Sequence, residues 1–157
     1  MISQHISEKE ATKSITALRL GIDNTPNSYH RNNMKTLAAN VIEPFRLWVA
    51  GPIKITSFYR SQELNEAIGG ATKNGKSVSQ HCKGQAIDID DIYGYKTNAE
   101  MFEYIKDNLE FDQLIWEFGN EDNPDWLHIS YVDREKNRSR ILKAVRDQGK
   151  VKYINIT

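Results

Sequence analysis

Ser79-Gln80-His81-Cys82-Lys83-Gly84-Gln85-Ala86-Ile87-Asp88 and, well downstream, Asp125-Trp126-Leu127-His128 constrain this chain more than any other feature. A fold that uses them must bring two imidazoles and a carboxylate to one point. That is the ligand set of a catalytic zinc site, in which three protein ligands leave a fourth position open for water. A closed structural site usually takes four ligands, often thiolates; Cys82 is the only cysteine, so a thiolate-rich site is excluded. The pattern S-x-H-x6-D followed by D-x-x-H is long and restrictive. It points to a zinc hydrolase with one Zn2+ per chain held by His81, Asp88 and His128.

The surrounding sequence predicts how those residues are carried. Ser7-x-x-Glu10 reads as a capping box, with Ala11, Ile15 and Leu18 at helical spacing before Gly21. Met34, Leu37, Ala38, Val41, Ile42, Phe45, Trp48 and Val49 form one apolar stripe on a long helix, which Pro44 should kink or split. Residues 53–57 alternate like a strand, Ser61 caps a short helix stopped by Gly69-Gly70, and residues 71–78 read as a polar loop. Ala86–Asp90 reads as a strand with Asp88 on one face and Ile87 and Ile89 on the other. Thr97-x-x-Glu100 opens another helix, with Met101, Phe102, Ile105 and Leu109 inward. Strands are expected over 113–118 and 127–132, and a closing hairpin over 138–145 and 151–156. The fold class is therefore α+β: a mainly antiparallel sheet with helices packed on it, in one domain spanning residues 1–157.

Chemistry can then be assigned residue by residue. Gly84 lies where the chain must turn back toward the metal, and a residue without Cβ permits a tight turn or a close backbone approach. Zinc bound to two neutral imidazoles and one carboxylate keeps a positive charge and would lower the pKa of a water toward about 7. Asp125, three residues before His128, is a candidate proton acceptor; Glu117 is the competing base, or a group that orients a ligand. Arg60 is the natural cation of the site, suited to a substrate carboxylate or a developing oxyanion. Ser79 could donate to a substrate carboxylate. Blander readings fall to His5 and His30 as structural or solvated, Cys82 as an idle buried thiol, Asp90 and Asp91 as a solvated strand end, and the Arg134–Arg146 cluster as a solvated hairpin face.

Charge and composition narrow the partners. Lys+Arg and Asp+Glu balance at 21 each, so no basic surplus exists to neutralise phosphates, and no nucleic-acid role is expected. The first residues show no basic region followed by an apolar stretch, so no Sec signal is expected, and no apolar run is long enough to span a membrane. A monomer made in the cytoplasm is the expectation.

At these residues the chain resembles the zinc D-alanyl-D-alanine carboxypeptidases and L-alanyl-D-glutamate endopeptidases of bacterial cell-wall metabolism and phage lysis. That superfamily shares its core with the hedgehog signalling domain. The resemblance runs from Asn24-Thr25-Pro26 through Ile55-Thr56-Ser57-Phe58-Tyr59-Arg60-Ser61 and the metal motif to Gln113-Leu114-Ile115-Trp116-Glu117 and Trp126-Leu127-His128-Ile129-Ser130, covering roughly residues 5–135. It implies zinc on His81, Asp88 and His128, Asp125 as general base, and Arg60 and Ser79 on the substrate, a peptidoglycan stem peptide. It also implies a cell-wall lytic enzyme, as a phage or prophage lysin or a phage particle component. Phe58 departs from the family, which often has Gly there, and is expected to reshape the rim of the cleft; the loop 71–78 is longer than usual. The alternative reading is a catalytically silent zinc-containing recognition domain, which would need neither Asp125 nor Arg60.

Overall fold

Short polar side chains start most of the helices. In the computed structural model, which describes Met1–Thr157, Ser7, Ser14, Asn27, Ser61 and Thr97 each accept a hydrogen bond from a backbone N–H of the first turn they precede. Ser14 was not anticipated as a cap, and it corrects the first helix. The chain forms α1 (Glu8–Thr12), turns extended at Lys13, and restarts as α2 (Ile15–Leu20), closed by Gly21 in the left-handed region. Ala11 and Ala17 are therefore the inward residues, whereas Ile15 and Leu18 stand in solvent.

The long apolar stripe is α3 (Ser28–Leu37) and α4 (Glu43–Val49), joined by a π-helical turn over Ala38–Ile42. Pro44 explains the junction. Its ring has no N–H to donate and crowds the carbonyl four residues back, so the preceding turn widens, and Glu43 N–H reaches Ala38 instead. Met34, Leu37, Ala38, Val41, Ile42, Phe45 and Val49 are all buried, and Trp48 packs at the margin of the same core. This helical layer meets Ile87, Ile89, Leu114, Leu127 and Ile129 on one face of the sheet.

Six strands form that sheet in the order β1-β4-β6-β5-β7-β8, namely Lys54–Ser57, Ala86–Asp90, Trp126–Ser130, Gln113–Glu117, Arg140–Asp147 and Lys150–Asn155. All neighbours are antiparallel except β5 and β7, which run parallel with Ile115 opposite Leu142 and Glu117 opposite Ala144. β8 is the outermost strand and pairs on one side only. Strand ends fall within two residues of the sequence expectation; β5 stops one residue early because Phe118 takes φ +57° and leaves the sheet. α5 (Gln62–Ala67) and α6 (Asn98–Asn108) complete the helices.

Residues 71–78 are not a plain polar loop. Thr72–Lys73 (β2) pairs with Lys76–Ser77 (β3) across Asn74-Gly75, both at positive φ. Asn-Gly is the dipeptide that a two-residue hairpin turn demands, and it sits between two short runs of β-compatible residues. No helix in the fold is long and apolar enough to cross a membrane.

Candidate metal centre

The two halves of the metal motif meet because β4 and β6 are neighbours: Asp88 lies directly opposite His128. His81 arrives from a 3-10 turn over Gln80–Lys83, capped by the Ser79 hydroxyl, which accepts from His81 N–H at 3.3 Å. Gly84 ends that turn at φ +71°, and a Cβ on it would stand 2.5 Å from the His30 carbonyl oxygen on α3. Both reasons for glycine, the tight turn and the close approach, therefore apply at once.

Potential ligand atoms of His81, Asp88 and His128 lie within 4.8 Å of one another. His81 is fully enclosed, and its Nδ1–H donates to the Phe58 carbonyl at 2.7 Å. That bond leaves Nε2 as the lone-pair nitrogen, 3.3 Å from Asp88 Oδ1 and without a hydrogen-bond partner. His128 Nδ1 sits 2.9 Å from the same carboxylate oxygen. Burial lowers the pKa of His81 and favours the neutral form a metal needs. Burial would raise Asp88, but the imidazoles of His81 and His128 beside it hold it well below the usual carboxylate range. A buried nitrogen with a free lone pair, aimed at a carboxylate beside a second imidazole, fits a divalent cation with N and O ligands.

Phe58 does not shape the rim. Its side chain is buried in the core, and its backbone is what reaches the site. Two residues on, Arg60 extends into the cleft with Nη2 3.9 Å from Asp88 Oδ2 and Nη1 donating to Asn65 Oδ1 at 3.2 Å. Asn65 is wholly buried; Gly70 makes room for it, since a Cβ there would fall 1.9 Å from its Oδ1. Arg60 Nε is buried without a partner, so the guanidinium keeps hydrogen-bonding capacity in reserve.

The two candidate bases part company here. Glu117 lies on the same face of the sheet as Asp88 and His128, lines the cleft, and is 6% exposed. Its carboxylate makes no side-chain hydrogen bond within the protein. Burial pushes it up to about 7, with His128 and Arg60 opposing and Asp88 reinforcing the rise. Asp125 stands in the bend just before β6, where its backbone N–H donates to the Glu117 carbonyl at 2.9 Å. Its side chain is exposed and borders a neighbouring hollow with Glu121 and Lys143, outside the cleft that holds the metal residues.

The cleft, about 590 Å³ in volume, also contains residues that no local signal marked: Gln80, Arg138, Arg146, Val151 and Tyr153. Arg138 and Arg146 are exposed, as a solvated hairpin face requires, but each also has a partner at the cleft border. Arg138 makes a two-pronged ion pair with buried Asp112, Nε at 2.8 Å and Nη2 at 2.7 Å, and Gln80 donates to the same carboxylate at 2.9 Å. Burial would raise Asp112, but Arg138 and Gln80 hold it at about 2. Arg146 lies 4.5 Å over the Phe118 ring. Asp90 and Asp91 are likewise engaged, Asp90 by Asn98 at 2.8 Å and Asp91 by the backbone of Tyr93 and Gly94. Cys82 is a buried free thiol, His5 pairs with Glu43 at 2.6 Å, and His30 closes the capping box of α3.

A family model described as Peptidase M15 matches residues 4–130, a span that contains the three metal residues, Arg60, Ser79, Glu117 and Asp125. No curated protein matches the chain.

Proposed function

Because the chain belongs to the peptidase M15 family, whose members are zinc-dependent, we propose that it is a zinc peptidase hydrolysing an amide bond of peptidoglycan stem peptides. The observation that carries this reading is the convergence of His81, Asp88 and His128 with an unpaired buried nitrogen, beside an open cleft. When bound, zinc supplies a Lewis acid for the scissile carbonyl and eases ionisation of a water.

The side chains supply the rest. Glu117 is the proton acceptor in this reading: its carboxylate takes a proton from the attacking water and returns it to the amine as the C–N bond breaks. Its place in the metal cleft, on the same sheet face as Asp88 and His128, favours it over Asp125, which the resemblance implies. Arg60 holds the developing oxyanion or a neighbouring substrate carboxylate, and the Asn65 contact keeps it from collapsing onto Asp88. Ser79 serves first as the cap that fixes the His81 turn, and its place in the cleft lets it meet substrate as well. The setting that agrees with this chemistry is a phage or prophage wall-lytic enzyme acting as a monomer.

Protein purified without chelator should carry about one zinc per chain by metal analysis, and His128→Ala should lose it. Mass analysis of defined stem peptides digested with the loaded enzyme should reveal a single cleaved amide. Full activity after exhaustive metal removal would sink the reading.

A further inference from the structure

Across the cleft face of the sheet, one row runs in register from Asp88 through His128, Ile115 and Leu142 to Asn155, and the next from Glu117 through Ala144 to Tyr153. Metal residues occupy only the β4 and β6 end. The other half of the cleft is supplied by β7 and β8, which lie beyond the residues the family model matches. Its floor is a small apolar cluster of Ile115, Leu142 and Ala144 backed by Phe118, separate from the main core.

Charge on this side is unbalanced. Arg138 is already neutralised by Asp112, and Arg60 belongs to the metal end, 3.9 Å from Asp88. Arg146 borders the cleft with no carboxylate within ion-pair distance; only the Phe118 ring holds its guanidinium. Stacking on a ring fixes the plane of the guanidinium and leaves its edge N–H groups free, the arrangement that suits a carboxylate.

We propose that Arg146 is a specificity-determining residue that receives a free carboxylate of the peptide substrate over the β7–β8 half of the cleft. This rests on the peptidase reading above and adds to it a second anionic requirement, distinct from Arg60. β7 lies two strand spacings, about 10 Å, from β6. An extended peptide covers that distance in about three residues. The carboxylate that Arg146 meets therefore belongs to a residue about three positions from the scissile amide. The substrate class is an acidic peptide, with an apolar side chain between the two ends to lie on Ile115, Leu142 and Ala144.

The test uses the zinc-loaded full chain and synthetic L-Ala-γ-D-Glu-L-Lys-D-Ala-D-Ala in four forms, with the glutamyl α-carboxyl and the C-terminal carboxyl each free or amidated. Dissociation constants are measured by calorimetry and kinetics by mass analysis. Wild type should bind at least one free-acid form about three- to tenfold more tightly than its amide, and Arg146→Gln should bring that ratio close to one by raising Kd for the acid. KM should follow Kd, with kcat retained. An acid-to-amide ratio that is flat in wild type, or unchanged by Arg146→Gln, overturns the proposal. Wild type that discriminates in binding but cleaves none of the peptides would keep Arg146 as a carboxylate site and defeat the peptidase reading instead; absence of binding to every form defeats the proposal.

Discussion

Glu117 sets the clearest experiment at the level of single residues. If it accepts the proton, Glu117→Gln should retain zinc and lose kcat by about 10²–10⁴-fold, whereas Asp125→Asn should stay within a few-fold of wild type. The reverse pattern in turnover and metal content would hand the role to Asp125. A pH signature goes with it. The folded pKa of Glu117, about 7, stands above its ordinary value of 4.5, so the fold binds that proton more tightly than the unfolded chain does. The stability it contributes is present below pH 4.5 and disappears as pH rises through 7. In metal-free protein Glu117→Gln should therefore be more stabilising at pH 8 than at pH 4, by roughly 1–3 kcal/mol. Denaturant titrations at the two pH values give the difference directly. Adding zinc should pull the Glu117 titration, followed by carboxyl NMR, to lower pH, because a nearby cation favours the charged form.

Among the elements, the turn from Gln80 to Gly84 carries the greatest burden for its size, since it aims His81 and packs against α3. Gly84→Ala would combine a left-handed φ of +71° with a 2.5 Å clash on the His30 carbonyl. A cost of about 2–4 kcal/mol is expected, with weakened zinc binding. Gly75→Ala has the same backbone conformation but open space around it, so it should cost only about 1 kcal/mol. Equal melting shifts for the two would remove the packing argument. Elements of this kind were also the most legible in the sequence. Caps at Ser7, Ser61 and Thr97, the strand through Asp88 and the Gly84 turn depend on neighbours in the chain. The Ser14 restart and the Asn74-Gly75 hairpin were equally local, but apolar spacing and polarity masked them. Other features could not be read at all. The parallel pairing of β5 with β7 brings together residues far apart in sequence, so nothing local showed that Arg146 and Tyr153 would face the metal residues. The Asp112–Arg138 pair is hidden for the same reason. Asp125 illustrates a subtler point: it is close to His128 in sequence, yet it stands in the bend before β6, where its side chain is exposed.

For the molecule as a whole, the sheet is closed at neither end, and its two edges differ. β1 has α1 packed against it, but β8 offers a row of unpaired backbone N–H and C=O groups, and every residue of the strand is exposed. Such a row is a template on which a second chain can pair. The formal net charge is zero and the pI about 6.9, so general repulsion between copies gives little protection near neutral pH. Lys150 and Lys152 alternate with Val151 and Tyr153 along this strand, and two like edges approaching each other would bring four ammonium groups together. Replacing both lysines by threonine keeps β propensity and removes that charge. The double variant should show concentration-dependent association by sedimentation velocity, and added salt should push wild type the same way by screening. A variant that sediments as wild type does at every concentration would mean that twist alone guards the edge. The strand whose Val151 and Tyr153 line the far side of the cleft is thus also where colloidal behaviour is decided, and substitutions that make its cleft face more apolar should be constrained by solubility before they are constrained by catalysis.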